Sequence, residues 1–260
     1  MFADICELHY HSTHENLTLF MQLPSKIAII TGASSGIGLR FSKDLIEKGA
    51  VVYGLARSQD KLKKIQSELG DSFIPVTIDV TDHEKVSNWV DDTFDENHLP
   101  DVLINNAGLG LFGDVDELPL DDWHAMIDTN LTGIFFMTRQ IVPLMKQNNE
   151  VCHIVNIASI AGKVGNPQMS GYNASKFGVR GFSESLFQEL RYDGIKVTCF
   201  YPGSIATSFF DKAGEMETHP NMMQPQDISK LLIDILETAD NFLINEVTMR
   251  PLNPKPPEDQ

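Results

Sequence analysis

Short apolar runs rich in Val, Ile and Leu alternate along this chain with longer stretches in which apolar residues recur every three or four positions. The runs at residues 27–31, 51–56, 73–78, 102–104, 151–157, 197–201 and 245–249 read as strands. They lack strict apolar–polar alternation, which is the pattern of strands covered on both faces. Residues 37–48, 59–69, 84–94, 121–146, 171–191 and 226–237 carry the helical period. Asp82 and Ser58 stand where helix N-caps belong, and Gly49 and Gly70 where helices stop. Strands alternating with helices through short links predict right-handed crossovers and an α/β fold. The sheet is expected to be doubly wound, parallel and about seven-stranded, with helices on both faces.

No repeat or interdomain linker interrupts the alternation, and 260 residues suit one domain. That domain is expected over residues 24–251. Residues 1–23 read as a poorly ordered N-terminal extension, without the charged start, apolar run and cleavage site of a signal peptide. Met21 stands just before the first strand, so the preceding twenty residues are either an added segment or an early start site. Residues 252–260, rich in Pro and acidic groups, read as a disordered tail.

A net charge of −16 disfavours nucleic acid and anionic lipid surfaces as partners. No run is long and apolar enough to span a bilayer. Cys6, Cys152 and Cys199 fit neither a disulfide framework nor a zinc spacing, so a reducing, cytoplasmic setting is expected. No metal is expected either. His9, His11 and His14 lie in the extension, and His124 and His153 lack partners at ligand spacing. Asp91, Asp92, Asp95 and Glu96 read as a solvated helix face, and Trp89 and Trp123 as packing residues.

The chemistry-bearing positions cluster after strands. Thr31-Gly32-Ala33-Ser34-Ser35-Gly36-Ile37-Gly38 joins the first strand to a helix. Gly32 permits a tight turn, Gly36 lets the backbone approach a pyrophosphate, and Gly38 lets the helix pack close to the sheet. Ser34, Ser35 and Ile37 lie between them, at a helix start whose N–H groups suit phosphate. This is a Rossmann-like dinucleotide turn. After the second strand comes Arg57 with Ser58, where an NAD site would place a carboxylate. A guanidinium there suits a 2′-phosphate, so NADP(H) is preferred over NAD(H) as cofactor. Tyr172 and Lys176, four apart on one helix, share a face, and an ammonium beside a phenol lowers the tyrosine pKa. Such a tyrosine can exchange a proton with an alcohol. Ser159 stands thirteen residues before it.

With Asp79-Val80, Asn105-Asn106-Ala107-Gly108, Thr129-Asn130-Leu131, Pro202-Gly203 and Thr207, these motifs resemble the short-chain dehydrogenase/reductase family over residues 26–250. The resemblance implies that Tyr172 is the acid in reduction and the base in oxidation, and that Lys176 lowers its pKa and binds the nicotinamide ribose. It implies that Ser159 stabilises the substrate oxygen, and that Asn130 holds a water linking Lys176 to solvent. Asp79 and Val80 should meet adenine; Asn106, Ala107 and Gly108 should floor the cofactor. Pro202, Gly203, Ile205 and Thr207 should meet the nicotinamide end.

Residues 204–224 read as a substrate lid, with Phe209, Phe210, Met216, Met222 and Met223. Leu109, Leu111, Phe112, Val164 and Met169 could complete an apolar pocket. The last strand lacks the glycine-rich ending of fatty-acid-synthesis reductases and resembles the branch of 3-hydroxy-acid dehydrogenases and carbonyl reductases. The expected partner is a small, partly apolar carbonyl or alcohol substrate. The expected activity is NADPH-dependent reduction of a ketone or aldehyde. An NADP-dependent dehydrogenase of a 3-hydroxy acid or small alcohol is the alternative, and a non-catalytic NADP(H)-sensing protein is the alternative of another class. The family also implies a homodimer or homotetramer built on the helices of Asn130 and Tyr172.

Overall fold

The computed structural model describes residues 20–209 and 218–257. The seven strands are β1 (Ile27–Thr31), β2 (Val51–Ala56), β3 (Phe73–Thr77), β4 (Val102–Asn105), β5 (Cys152–Ile157), β6 (Ile195–Pro202) and β7 (Glu246–Met249). They form one sheet in the order β3-β2-β1-β4-β5-β6-β7, every neighbouring pair parallel. Helices α1 (Gly36–Glu47), α2 (Gln59–Leu69), α3 (His83–Thr93), α4 (Leu120–Ile127), α5 (Gly133–Met145), α6 (Ser170–Leu190) and α7 (Pro225–Leu236) supply the crossovers and later flank.

The two-residue period of the strands sorts their side chains into two cores. In β1, Ala28 and Ile30 join a core with Phe41 and Leu45 of α1 and Leu232 and Ile235 of α7. Ile29 points to the other face, into a core with Val86 and Val90 of α3, Met137 and Ile141 of α5, and Leu186 of α6. Both faces of the central strands are therefore covered, as the unbroken apolar runs require. The sheet winds outward in both directions from β1 and β4. At that reversal, the turns leaving their carboxyl ends diverge and open a crevice.

Local signals explain the ends of several helices. The Asp82 carboxylate accepts from the Lys85 N–H at 3.1 Å and caps α3. Ser58 occupies the N-cap position of α2 but makes no capping bond. The helix expected over residues 121–146 is divided by a π-helical turn, Asp128–Thr132. The extra residue in that turn rotates Asn130 inward, where its side chain is fully buried. The expected extension also shortens. Met21 and Leu23 are buried in the α1–α7 core, because their apolar side chains fill the space beneath the first strand. Residues 1–19, which hold Cys6 and the three N-terminal histidines, lie outside the described residues. Phe210 and Met216 of the expected lid and residues 258–260 lie outside them too. The described part of the C-terminal tail has no strand, and the Lys255 carbonyl accepts from Asn221 Nδ2 at 2.7 Å.

Among the described residues, no helix is long and apolar enough to cross a membrane. Cys152 and Cys199 are buried free thiols. Trp89 packs against Tyr53 and Phe94, whereas Trp123 keeps 37% of its surface exposed. His153 is buried with Nε2 2.8 Å from Thr198 Oγ1, and burial pulls its pKa down to about 3.

Candidate active site

A cleft of about 800 Å³ opens at the carboxyl edge of the sheet. Its floor begins with the turn after β1. Gly32 and Gly36 adopt φ of +69° and +56°, a region that side chains disfavour. A Cβ on Gly38 would lie 2.5 Å from the Gly32 carbonyl oxygen, so only glycine lets α1 start this close to the turn. Gly38 does not line the cleft; it supports the wall from behind. Ser34, Ser35, Gly36 and Ile37 do line it. Ser35 makes no side-chain cap, and the first turn of α1 contains no acidic residue. The helix start therefore presents N–H groups and a positive dipole end without a built-in anion. That is a cradle suited to a pyrophosphate.

The turn is held to β4 by side chains. Thr31 Oγ1 accepts from the Asn106 and Ala107 N–H groups, each at 2.9 Å. The Asn106 amide donates back to the Thr31 carbonyl at 2.9 Å. Asn106 thus lines the cleft while its amide clamps two strand ends together. One residue earlier, Asn105 is buried and donates to Asn156 Oδ1 at 2.8 Å; Asn156 in turn donates to Ser183 at 2.9 Å. This buried chain fixes the relative height of β4, β5 and α6.

Arg57 and Ser58 stand at the β2 end of the cleft, facing Asp79 and Val80 after β3. Arg57 Nη1 lies 3.9 Å from Asp79 Oδ2 and is largely exposed. The other Asp79 oxygen accepts from the Thr81 N–H and hydroxyl. Lys61, one turn into α2, joins this end of the cleft. Sequence reasoning passed over it; its spacing of four from Arg57, on a helix entered at Ser58, was the available signal.

Ser159, Tyr172 and Lys176 meet at the other end. Ser159 caps the short turn Ile160–Gly162 by accepting from the Ala161 N–H at 3.1 Å. Its hydroxyl donates to the Pro202 carbonyl at 3.5 Å and stands near enough to the Tyr172 phenol to act on its pKa. Lys176 is buried and donates to the Ile157 carbonyl at 2.9 Å, with Nζ 5.8 Å from the Tyr172 ring centre. The expectation that Lys176 lowers the tyrosine pKa is not what this geometry gives. Burial pushes the Tyr172 phenol up to about 12, and the Ser159 hydroxyl offsets only part of that. Burial also pulls the Lys176 ammonium down to about 8. Each shift disfavours the charged form of its group.

The Asn130 amide is committed to its neighbours. Its Oδ1 accepts from the Leu109 N–H at 2.8 Å, and its Nδ2 donates to the Leu109 carbonyl and to Ser175 Oγ at 2.9 and 3.0 Å. The amide ties the loop after β4 to α6 instead of projecting into the cleft. Gly108 lies against it: a Cβ there would stand 3.2 Å from Asn130 Oδ1 and 3.5 Å from Lys176 Nζ. Pro202, Gly203, Ile205 and Thr207 line the wall beyond β6, where Ile205 bridges to Met223. Leu109, Leu111, Phe112, Met169 and Phe209 form the apolar end. Val164 does not join them; it is 48% exposed outside the cleft.

The family model described as short chain dehydrogenase matches residues 26–218. The chain belongs to the short-chain dehydrogenase/reductase family. An oxidoreductase of Staphylococcus saprophyticus is 32% identical to this short-chain dehydrogenase/reductase over 237 residues, covering 89% of this chain and all of that one. A serine dehydrogenase complexed with NADP+ has a TM-score of 0.79 and 29% identity, covering 86% of this chain and 94% of the other. An alcohol dehydrogenase from the archaeon Thermococcus sibiricus, complexed with 5-hydroxy-NADP, gives a TM-score of 0.81 at 25% identity, with 89% and 99% covered. The protein is an NAD(P)-dependent oxidoreductase with a Rossmann-like parallel sheet.

Proposed function

We propose that this short-chain dehydrogenase/reductase reduces a ketone or aldehyde with NADPH, in a reaction reversible in principle. The observation that carries the reading is the Ser159–Tyr172 hydroxyl pair at one end of a cleft whose other end holds the glycine turn and Arg57. The fit of a dinucleotide rests on the uncapped start of α1 and the close Gly32–Gly38 approach. When bound, a nicotinamide cofactor supplies or accepts the hydride. Ser34 to Ile37 would hold its pyrophosphate, Asp79 and Val80 its adenine, and Ala107, Gly108, Pro202, Gly203, Ile205 and Thr207 its nicotinamide half. Arg57 and Ser58 would read the 2′-phosphate, a preference that the two NADP-type complexes among the similar structures support.

Tyr172 acts as the acid in reduction. Its phenol, held near 12, is protonated at neutral pH and donates that proton to the substrate oxygen. Ser159 donates a second hydrogen bond to the same oxygen, where negative charge develops. The Lys176 ammonium, at about 8, remains charged at neutral pH and supports the growing negative charge from the far side. Asn130 acts as a positioning residue that keeps Gly108 beside Lys176.

The likeness to a serine dehydrogenase favours a second reading, oxidation of a 3-hydroxy acid or small alcohol. A non-catalytic NADP(H) sensor would leave the paired hydroxyls without a task. Phe135 on α5 and Phe177 on α6 are each 43% exposed, which supports a homodimer or homotetramer through these helices. A cytoplasmic setting agrees with the buried free thiols. The test is Tyr172→Phe assayed by NADPH absorbance over a panel of ketones, aldehydes and 3-oxo acids. It should lower kcat by about 10²–10⁴-fold with little change in NADPH affinity. Unchanged turnover would refute the role of Tyr172; tight NADPH binding without turnover of any compound by the unmodified protein would favour the sensor.

A further inference from the structure

The apolar end of the cleft says more about the substrate than its general character. Phe112 stands edge-on to the Tyr172 ring at a centre separation of 5.8 Å, and Phe209 approaches the same ring at 5.9 Å from another element. Both rings reach one point above Gly110. A Cβ at Gly110 would lie 2.9 Å from Phe209 and 3.1 Å from Phe112. The absent side chain is what allows an aromatic wall to form around the reacting hydroxyl.

Charge at this end points the same way. Among the described residues, the charged side chains lining the cleft are Arg57, Lys61, Asp79 and Lys176. Arg57, Lys61 and Asp79 follow β2 and β3, at the far end from Tyr172. Lys176 is buried, and its ammonium already donates to the Ile157 carbonyl. Among the described residues, the buried Lys176 is therefore the one cation lining the cleft beside the aromatic wall. The loop continuing from Phe112 instead carries Asp114, Asp116 and Glu117, all exposed. A carboxylate entering this end would lose hydration with no exposed cation among the described lining residues there to compensate.

We propose that the substrate is an uncharged ketone bearing a flat apolar substituent, which lies against the rings of Phe112 and Phe209. The proposal rests on the carbonyl-reductase reading and narrows it away from hydroxy acids. Ring faces and edges give a planar substituent an interaction that a small alkyl group does not receive. Ser159 and Tyr172 then meet the carbonyl oxygen of a substrate oriented by its apolar part.

NADPH oxidation with four probes tests it: acetophenone against 2-butanone for the ring, and methyl benzoylformate against benzoylformate for the charge. Acetophenone should exceed 2-butanone by about 30-fold in kcat/KM, and the ester should exceed the acid by about 100-fold. Phe112→Ala and Phe209→Ala should each reduce the acetophenone preference to below about 5-fold while NADPH affinity, read by fluorescence titration, stays within about 2-fold. Phe209→Leu keeps the apolar volume, guards against a folding loss, and should weaken the preference in the same direction. The proposal is overturned if the acid matches the ester, or if the acetophenone preference survives in all three variants. NADPH bound but oxidised by none of the probes would overturn the reductase reading, and this proposal with it.

Discussion

Arg57 shows how a residue's position can be legible in the sequence while its surroundings are not. Its place after β2 is legible in the sequence, because strand ends in such sheets face the ligand. The structure adds Lys61 on the same side and Asp79 at 3.9 Å, so the guanidinium is only loosely paired and free to take a stronger anion. Arg57→Ala should weaken NADPH binding by about 10–100-fold and NADH binding by less than about 3-fold. Lys61→Ala should cost about 3-fold for NADPH, since an exposed ammonium is well screened. Titrations with both nucleotides check this, and equal losses for NADPH and NADH in Arg57→Ala would remove the 2′-phosphate assignment. Tyr172 teaches the complementary lesson. The four-residue spacing to Lys176 put both groups on one face, but it did not contain the burial that raises the phenol instead of lowering it.

At the scale of elements, the turn carrying Ser159 is braced from outside the cleft. The turn ends at Lys163, whose ammonium lies 4.0 Å above the Tyr201 ring and donates to Glu246 at 2.9 Å and Thr248 at 3.1 Å on β7. Tyr201 also donates to Glu246, at 2.8 Å. The Lys163 bond and its charge, aided by Tyr201 and Arg180, hold the Glu246 carboxyl below the usual carboxylate range. The short C-terminal strand, which read as a departure from one branch of the family, thus anchors the turn that carries Ser159. Glu246→Gln should destabilise the fold by about 1 kcal/mol and lower kcat a few-fold without altering NADPH affinity. Urea denaturation beside steady-state kinetics checks it; an unchanged kcat would mean the brace does not reach Ser159. The π-turn at Asn130 belongs to this scale too. Residues 121–146 keep an unbroken helical period, so nothing local marks the extra residue that turns Asn130 inward.

For the whole molecule, burial of His153 makes stability sensitive to acid. It lies on β5 with Nδ1 buried and unpartnered, and Lys196 adds to the penalty that burial places on its charged form. Its folded pKa, about 3, lies below the ordinary 6.5, so the unfolded chain binds a proton that the folded one refuses. Stability from this group is complete above pH 6.5 and is lost as pH falls toward 3, by up to about 1.4 kcal/mol per pH unit. His153→Gln should flatten the fall in unfolding free energy between pH 6.5 and 4 relative to the unmodified protein. An identical slope in both would show that other groups set the acid limit.

By itself, the sequence determined which segments are strands and helices, the parallel winding, and the motifs at the strand ends. These follow from periodicity, turn residues and chain connectivity, all of which are local or nearly so. Tertiary structure decided the rest. It placed Met21 and Leu23 in the core, turned the Asn130 amide toward the Leu109 loop, excluded Val164 from the cleft, and brought Phe209 across to Phe112 and Tyr172. Each outcome depends on distant residues sharing space, and on the dielectric and packing that this sharing creates. Proton affinity and substrate shape are properties of that shared space, which no single stretch of chain encodes.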